Sequence, residues 1–239
     1  MSMTNTDPFD ARGKGRGEDV RLRLIEAAIE IFGRHGFEGA STRALSQRAG
    51  VNQQAIPYYF GGKSGLYLAV ADHIAERLKA LVGPVGARIG LRLAAHHTPK
   101  DGQTLEPAEA RALLVELLET MAGVLVNEEA ASWARFIVRE QMEPTEAFER
   151  IYEKIMARLI EAARGLIAAI LREDPSSEAV RLRAVALIGQ VLVFRVAHAA
   201  VMRQLGWEKI GPRELDAIHD VIRRGVGAIA PANGSVRAP

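Results

Sequence analysis

Two adjacent glutamines, Gln53 and Gln54, follow a glycine-containing turn and open a short predicted helix. A glutamine side chain carries both an acceptor and a donor, the combination that pairs with the edge of adenine in the major groove. Ala55 beside them is small enough to contact a thymine methyl group. Residues of these types, presented outward on one helix, predict a surface that can read base pairs.

The sequence around the glutamines predicts the frame that would present them. Ser41 or Thr42 can cap a helix that runs to Ala49, and Gly50 suits the tight turn that ends it. Asn52 can then cap a second helix over residues 53–59. Apolar residues stand where the two helices must pack, namely Ala49, Val51 and Ile56. The pattern predicts a helix-turn-helix, a shape that also occurs in proteins that never contact DNA.

Hydroxyl and basic side chains around this unit could hold a DNA backbone, because phosphate contacts fix register without reading sequence. The candidates are Thr42, Arg43, Tyr58 and Lys63. Total charge adds little, since residues 1–65 carry nine Lys and Arg against seven Asp and Glu, and the whole chain has a net charge of +2. The placement of charge therefore matters more than its sum.

Composition favours helices and excludes cysteine chemistry. Hydrophobic residues make up 48% of the 239 residues and charged residues 25%, a balance typical of a globular core with a solvated surface. Aromatic residues are only 5%, while Ala, Leu, Ile and Arg are common, so helix is favoured over sheet. Because the chain has no cysteine, disulfides, thiolate metal sites and cysteine nucleophiles are excluded.

Neither a targeting segment nor a membrane span is predicted. Residues 1–17 are polar and glycine-rich, which predicts a flexible arm, either a solvated terminus or an arm that touches DNA. Residues 184–201 are apolar but contain Gln190, Arg195 and His198, which predicts a buried helix. Residues 231–239 predict a disordered tail. The expectation is a cytoplasmic protein with no membrane partner.

Helical periodicity covers the rest of the chain, with no strand-like alternation of useful length. A fourth helix is predicted to begin at Lys63 or Ser64 and to run to Leu81, after which Gly83 and Pro84 bend or end it. Helices are also predicted over residues 19–34, 87–95, 108–125, 128–142, 144–171, 175–205 and 213–229. The predicted fold is all-α, with roughly nine or ten helices. A helix-turn-helix domain is predicted over residues 18–68, and a larger helical domain over residues 69–230.

Residues 24–68 resemble the DNA-binding domain of TetR-type repressors in both residue identity and spacing. The matching residues are Ile25-Glu26-Ala27-Ala28, Phe32, Gly36-Phe37, Ser41-Thr42-Arg43-Ala44-Leu45, Ala49-Gly50-Val51, Tyr59-Phe60, Gly61, Lys63 and Leu66-Tyr67. The string Ala55-Ile56-Pro57-Tyr58-Tyr59-Phe60 and, less specifically, the C-terminal region are similar to the CecR-like subgroup. The resemblance implies a DNA-binding transcriptional regulator.

The resemblance also implies roles for single residues. Thr42 and Lys63 would hold phosphates, and Gln53 and Gln54 would read bases. Many family members carry a tyrosine where this chain has Pro57, so that tyrosine contact cannot be transferred. Tyr59 would contact the DNA backbone, pack or read a base, and Phe60 would be core. The predicted DNA-binding residues are Thr42, Arg43, Asn52, Gln53, Gln54, Ala55, Tyr58, Tyr59 and Lys63.

The last two helices are rich in apolar residues, which predicts either a monomer core or a dimer interface. Leu187, Val191 and Phe194 are part of a set that exceeds one stripe on the penultimate helix, so this helix should be buried on more than one side. The family resemblance implies that both helices pair with their mates in a two-fold bundle. Such a dimer would match a palindromic operator with half-sites about 34–36 Å apart.

The middle helices are predicted to enclose a small hydrophobic effector, because apolar walls with a few polar groups suit such a cavity. Each residue taken singly is more often ordinary core. Arg195 and His198 stand on an otherwise apolar helix and need a partner, either the ligand, Glu140 or an acidic residue across a dimer. The predicted lining is Met121, Trp133, Phe136, Ile137, Gln141, Met142, Tyr152, Met156, Phe194 and His198.

The predicted function is a repressor of transcription that a small molecule releases from operator DNA. The molecule would favour a dimer whose recognition helices no longer match the groove spacing, with the fourth helix as the connection. A helical scaffold for another protein is the alternative. An enzyme is disfavoured, because the sequence shows no nucleophile–base pairing, no phosphate-cradling glycine loop and no metal cluster. Glu116, Glu119 and Glu140 could be paired carboxylates, but helical faces commonly carry such residues. No cofactor is expected, and His96-His97 lacks the pattern of a metal site.

Overall fold

The computed structural model describes residues 8–97 and 105–230, and within them every regular element is a helix. Side chains are described from Gly17 to Ala95 and from Leu105 to Ala230. The helices are α1 (Pro8–Gly39), α2 (Thr42–Ala49), α3 (Ala55–Phe60), α4 (Lys63–His97), α5 (Pro107–Val126), α6 (Ala130–Met142), α7 (Glu146–Ile151), a π-helical turn (Tyr152–Met156), α8 (Ala157–Leu171), α9 (Glu178–Val196), α10 (His198–Leu205) and α11 (Pro212–Gly227). The all-α prediction is confirmed.

The chain divides into two compact units. The first combines residues 1–74 with residues 135–151, and the second combines residues 75–134 with residues 152–239. The sequence predicted one boundary near residue 68. The structure instead places most of α6 and all of α7 in the first unit, because the aromatic rings of Phe136 and Tyr67 pack 4.9 Å apart there.

Two helices are longer than predicted. The helix α4 continues through Pro84 to His97, so it does not end at Gly83 and Pro84, and the separate helix predicted over residues 87–95 was wrong. Proline removes only one donor and kinks a helix without having to end it. The helix α1 begins at Pro8, so part of the expected flexible arm is helical, and residues 1–7 lie outside the described residues. The predicted tail over residues 231–239 also lies outside them.

Two predicted helices are divided instead. The helix expected over residues 144–171 is interrupted by the π-helical turn Tyr152–Met156. The helix expected over residues 175–205 ends at Val196, and α9 and α10 meet there at 76°. Ser177 caps α9, since its hydroxyl accepts from the Val180 amide at 3.3 Å.

In the second unit α5 packs against α8, α9 and α11. Its buried face consists of Ala110, Leu114, Leu117, Leu118, Met121 and Ala122. Arg195 of α9 donates to the carbonyl oxygens of Leu125 and Asn127 at 2.5 and 2.6 Å, so the carboxyl end of α5 supplies partners that the sequence did not predict. A cation there satisfies carbonyls that a helix end leaves unpaired.

Within the described residues no single helix is long and apolar enough to span a membrane, although the bent pair α9 and α10 together meets that test by length and composition.

Candidate nucleic-acid interface

The helix-turn-helix is built by α2, a turn and α3. The Ser41 hydroxyl caps α2 by accepting from the Ala44 amide at 3.1 Å. Gly50 ends α2 in the left-handed region at φ 64°, a conformation that glycine adopts without steric cost. The third helix begins at Ala55, two residues later than predicted, because Gln53 and Gln54 form the turn before it.

A small apolar core holds the two helices at their angle. Leu45 and Ile56 are fully buried, and Ala49 is nearly so. Ser46 is buried as well, and its hydroxyl donates to the Arg43 carbonyl at 3.0 Å. The unit is fastened to α1 by Arg48, which donates to one carboxylate oxygen of Glu30 at 2.9 and 2.6 Å. That hydrogen bond lowers the pKa of Glu30.

The two glutamines and Asn52 lie at the surface, as a base-reading role requires. The Gln53 amide donates to the Thr42 hydroxyl at 2.8 Å, which joins a predicted base reader to a predicted phosphate contact. Asn52 Oδ1 accepts from the Gln54 amide nitrogen at 2.9 Å. This Asx-type bond replaces the predicted helix cap and fixes the turn. Arg43 is also exposed.

The aromatic residues of α3 lie in different surroundings. The Tyr58 ring is 81% exposed and meets the edge of the half-buried Tyr59 ring at 4.8 Å. Phe60 is half-buried, and the guanidinium of Arg21 lies 5.5 Å from its ring centre. Ala55 is half-buried at the start of the helix. Among the α3 aromatic residues, Tyr58 therefore offers the largest free surface to DNA.

Lys63 is held in a way that the sequence did not predict. Its ammonium donates to the carbonyl oxygens of Phe37 and Ala40 at 2.9 and 3.1 Å, and it lies 4.2 Å from the Phe37 ring centre. Two of its three donors thus fasten α4 to the end of α1. The third donor makes no hydrogen bond to the residues that the structure describes.

Glycines set the connection from α3 to α4. Gly61 and Gly62 have φ values of 72° and 134°, in the left-handed region that favours glycine. Gly65 allows a close approach, since a Cβ placed there would lie 1.8 Å from the Phe60 carbonyl oxygen. The carboxyl end of α3 can therefore lie directly on the first turn of α4.

The first unit contains a buried carboxylate, Glu140, whose hydrogen bonds the sequence did not predict. Glu140 is 2% exposed, and its Oε1 accepts from the Tyr67 hydroxyl at 2.5 Å. Its Oε2 accepts from the Thr145 amide and hydroxyl and from the Phe148 amide, at 2.8 to 3.1 Å. Burial, followed by the bond to Glu140, raises the pKa of Tyr67. The sequence gives no signal for a pair 73 residues apart.

The ten predicted effector residues do not form one group within either unit. Phe136, Ile137, Gln141 and Met142 belong to the first unit and the other six to the second. Met121, Trp133 and Phe136 are buried, whereas Gln141, Met142 and Tyr152 are exposed. The remaining residues, Ile137, Met156, Phe194 and His198, are half-buried.

A cavity of the second unit lies elsewhere, between α4 and the segment formed by the π-helical turn and α8. We term it the α4–α8 cavity, and its volume is about 820 Å³. It is lined by Lys79, Ala80, Gly83, Pro84, Gly86, Ala87, Gly90, Leu93, Lys154, Ile155, Arg158, Leu159, Glu161, Ala162, Arg164, Gly165 and Pro175. None of the ten predicted residues is among them.

Within the described residues no group of three His, Asp or Glu side chains could hold a metal ion.

Comparisons with known proteins agree with this architecture. Residues 24–70 match the family described as bacterial regulatory proteins of the tetR family, and residues 110–232 match the C-terminal domain of the HTH-type transcriptional dual regulator CecR. The CecR protein of Shigella flexneri is 32% identical over 207 residues, which cover 87% of this chain and 89% of that protein. The regulatory protein RaaS of Mycobacterium tuberculosis is 47% identical over 61 residues, which cover 26% of this chain and 28% of that protein.

Solved structures show the same fold. A TetR-like regulator from Rhodococcus sp. RHA1 superposes with a TM-score of 0.60 at 20% identity, covering 87% of this chain and 96% of that one. The regulator FadR from Bacillus subtilis, solved in complex with stearoyl-CoA, gives 0.52 at 16% identity, covering 87% and 97%.

The fold and the helix-turn-helix define a DNA-binding regulator of transcription. The chain belongs to the TetR family and, within it, to the CecR-like regulators.

Proposed function

We propose that this regulator is a homodimeric repressor that binds a palindromic operator and leaves it when a small effector binds the second unit. The observation that carries the DNA-binding part is the exposed set Gln53, Gln54 and Tyr58 on a helix-turn-helix whose family match covers the whole motif. In this proposal the two glutamines read bases, with Asn52 and Ala55 beside them. The phosphate contacts come from Thr42, Arg43, Tyr58, Tyr59 and Lys63.

An exposed apolar stripe on α9 supports the dimer. Leu182, Val185, Val193 and Val196 are each between 45% and 62% exposed. With Gly189 between them they recur at three- and four-residue spacings, so they share one face of the helix. A contiguous apolar face in water is a signal for association. We propose that α9 and α11 pair with their copies across a two-fold axis.

The α4–α8 cavity supports the effector. Its volume of about 820 Å³ lies within the range of roughly 300–1,000 Å³ that is usual for small-molecule sites. One structural neighbour, FadR, was crystallised with an acyl-CoA. We therefore assign the effector to this cavity, while the lining predicted from sequence stays a prediction.

Fluorescence anisotropy with the full chain and labelled duplex DNA from upstream of its own gene tests the proposal. We expect binding that weakens steeply with salt, because phosphate contacts release counterions. Tyr58→Ala should weaken binding, and Lys209→Gln, an exposed charge change in the loop before α11, should not. Equal affinity for this DNA and for scrambled duplexes would overturn the proposal.

A further inference from the structure

We infer that the α4–α8 cavity selects an organic anion that carries a hydrocarbon portion. This inference rests on the proposed function, because it names the chemical class of the effector. The sequence predicted only a small hydrophobic molecule.

The charge of the lining favours an anion. Four cationic side chains, Lys79, Lys154, Arg158 and Arg164, line the cavity against a single carboxylate, Glu161. The lining therefore has a net charge of three positive units. A concave site with an excess of one charge sign attracts a ligand of the opposite sign.

Two of these cations, Lys79 and Arg158, are only loosely used within the protein. The Lys79 ammonium lies 3.8 Å from a carboxylate oxygen of Glu76, which is beyond hydrogen-bond distance. Arg158 makes no hydrogen bond or ion pair with any residue that the structure describes. An anionic head could recruit these donors without breaking a close ion pair.

Arg164 is the fourth cation, and it lies deeper. One of its terminal nitrogens donates to Glu161 at 3.1 Å, but its Nε is buried and has no hydrogen-bond partner among the described residues. Buried donors are normally paired, so an unpaired one at the wall of a cavity points to a missing acceptor. An oxygen of a bound anion would supply that acceptor.

The other wall is apolar and is wide because α4 carries small residues there. Gly86 lies opposite Leu159, and a Cβ at Gly86 would meet that side chain at 3.6 Å. A Cβ at Gly90 would meet nothing within 4 Å, so the space beside it is open. Apolar side chains such as Ile155 and Leu159 complete this part of the lining. The site thus combines a cationic part with an apolar part, which fits an amphipathic anion.

Isothermal titration calorimetry with the full dimeric chain and decanoate tests the inference, in the absence of DNA. Decanoate should bind, and decyltrimethylammonium of the same chain length should bind at least tenfold more weakly. Arg158→Gln should weaken decanoate binding about fivefold, as expected for one partly exposed charged hydrogen bond. Adding Lys79→Gln should bring the loss beyond tenfold. Lys209→Gln, an exposed cation outside the cavity, is the matched control and should leave binding unchanged.

Gly90→Leu provides a second test that does not depend on charge. Because Gly90 is helical and its Cβ direction is open, the variant should fold with an unchanged or higher melting temperature. Its new side chain should fill the cavity and abolish decanoate binding. Equal binding of both decyl probes, or full decanoate binding by Gly90→Leu, overturns the inference. Failure of operator binding overturns the proposed function instead, because the calorimetry contains no DNA.

Discussion

The side-chain amide of Gln53 donates to the hydroxyl of Thr42 at 2.8 Å, across the turn of the helix-turn-helix. Gln53 lies just before α3, and Thr42 is the first residue of α2. The bond restricts the rotamers of Gln53 in the free protein, so the side chain loses less conformational entropy when DNA binds. If Gln53 reads a base, as proposed, its side chain is therefore oriented by a residue on the other helix.

Removing this acceptor should weaken operator binding. Thr42→Val keeps the shape but loses the hydroxyl, and we expect about tenfold lower affinity, the equivalent of one hydrogen bond. Thr42→Ser retains the hydroxyl and should bind within about twofold of the unmodified protein. Fluorescence anisotropy at fixed salt measures both. Unchanged affinity of Thr42→Val would mean that the bond does not orient Gln53 for binding.

The close approach at Gly65 predicts a large effect from one methyl group. In Gly65→Ala the new Cβ would collide with the Phe60 carbonyl, so α3 must move away from α4. We expect a loss of about 3 kcal/mol in the free energy of unfolding, the upper end for overpacking, together with weaker operator binding. Urea unfolding followed by circular dichroism measures the change.

Gly90→Ala is the control for this substitution, since Gly90 belongs to the same helix and has open space around it. It should be neutral or stabilising by up to about 1 kcal/mol. Equal effects of the two alanines would show that the contact at Gly65 relaxes at no cost.

The bonds around Glu140 predict a graded series. Glu140→Gln places an amide where four donors converge, so we expect a loss of about 2–4 kcal/mol in the free energy of unfolding. Tyr67→Phe removes one donor and should cost about 1–2 kcal/mol. Glu149→Gln, on the exposed side of α7, should change stability by less than about 0.5 kcal/mol. Chemical denaturation ranks the three variants, and a neutral Glu140→Gln contradicts the central role of this carboxylate.

The apolar face of α9 predicts the effect of a charge at its centre. Val185→Glu should convert the proposed dimer to a monomer and abolish tight operator binding, because two buried carboxylates would face each other across the proposed interface. Leu91→Glu, on an even more exposed apolar residue of α4, should remain dimeric. Sedimentation velocity separates the two states. A dimeric Val185→Glu protein would place the interface on another surface.

Acid should weaken the attachment of α2 to α1. The hydrogen bond from Arg48 lowers the pKa of Glu30 below its ordinary value of 4.5. A carboxyl whose pKa is lowered by folding stabilises the protein above its unfolded-state pKa, and that contribution is lost as the pH falls through the lowered value. The free energy of unfolding should therefore decrease as the pH is lowered past about 4.5. In Arg48→Gln this decrease should be smaller. Chemical denaturation of both proteins at pH 7 and pH 4 measures the two decreases. An equal decrease in both proteins would exclude the Arg48–Glu30 pair as a source of acid sensitivity.

The sequence by itself determined the helical fold and the position of the helix-turn-helix. Both depend on local signals, namely the spacing of apolar residues, the Ser41 cap and the turn at Gly50, and these act over a few residues. The family resemblance came from the same short stretch. The sequence did not predict the partners of single side chains. Lys63 binds carbonyl oxygens at the end of α1, and Arg195 binds carbonyl oxygens at the end of α5.

Tertiary structure alone decided the pairing of Tyr67 with Glu140, the grouping of α6 and α7 with the helix-turn-helix, and the position of the cavity. Each depends on residues that are far apart in sequence and are brought together by packing. Helical periodicity predicts which face of a helix is buried, but it does not predict which element packs against that face. Pro84 shows the same limit within one helix. Its local preference predicts that the helix bends or ends there, but proline removes only one hydrogen-bond donor, and the helix continues.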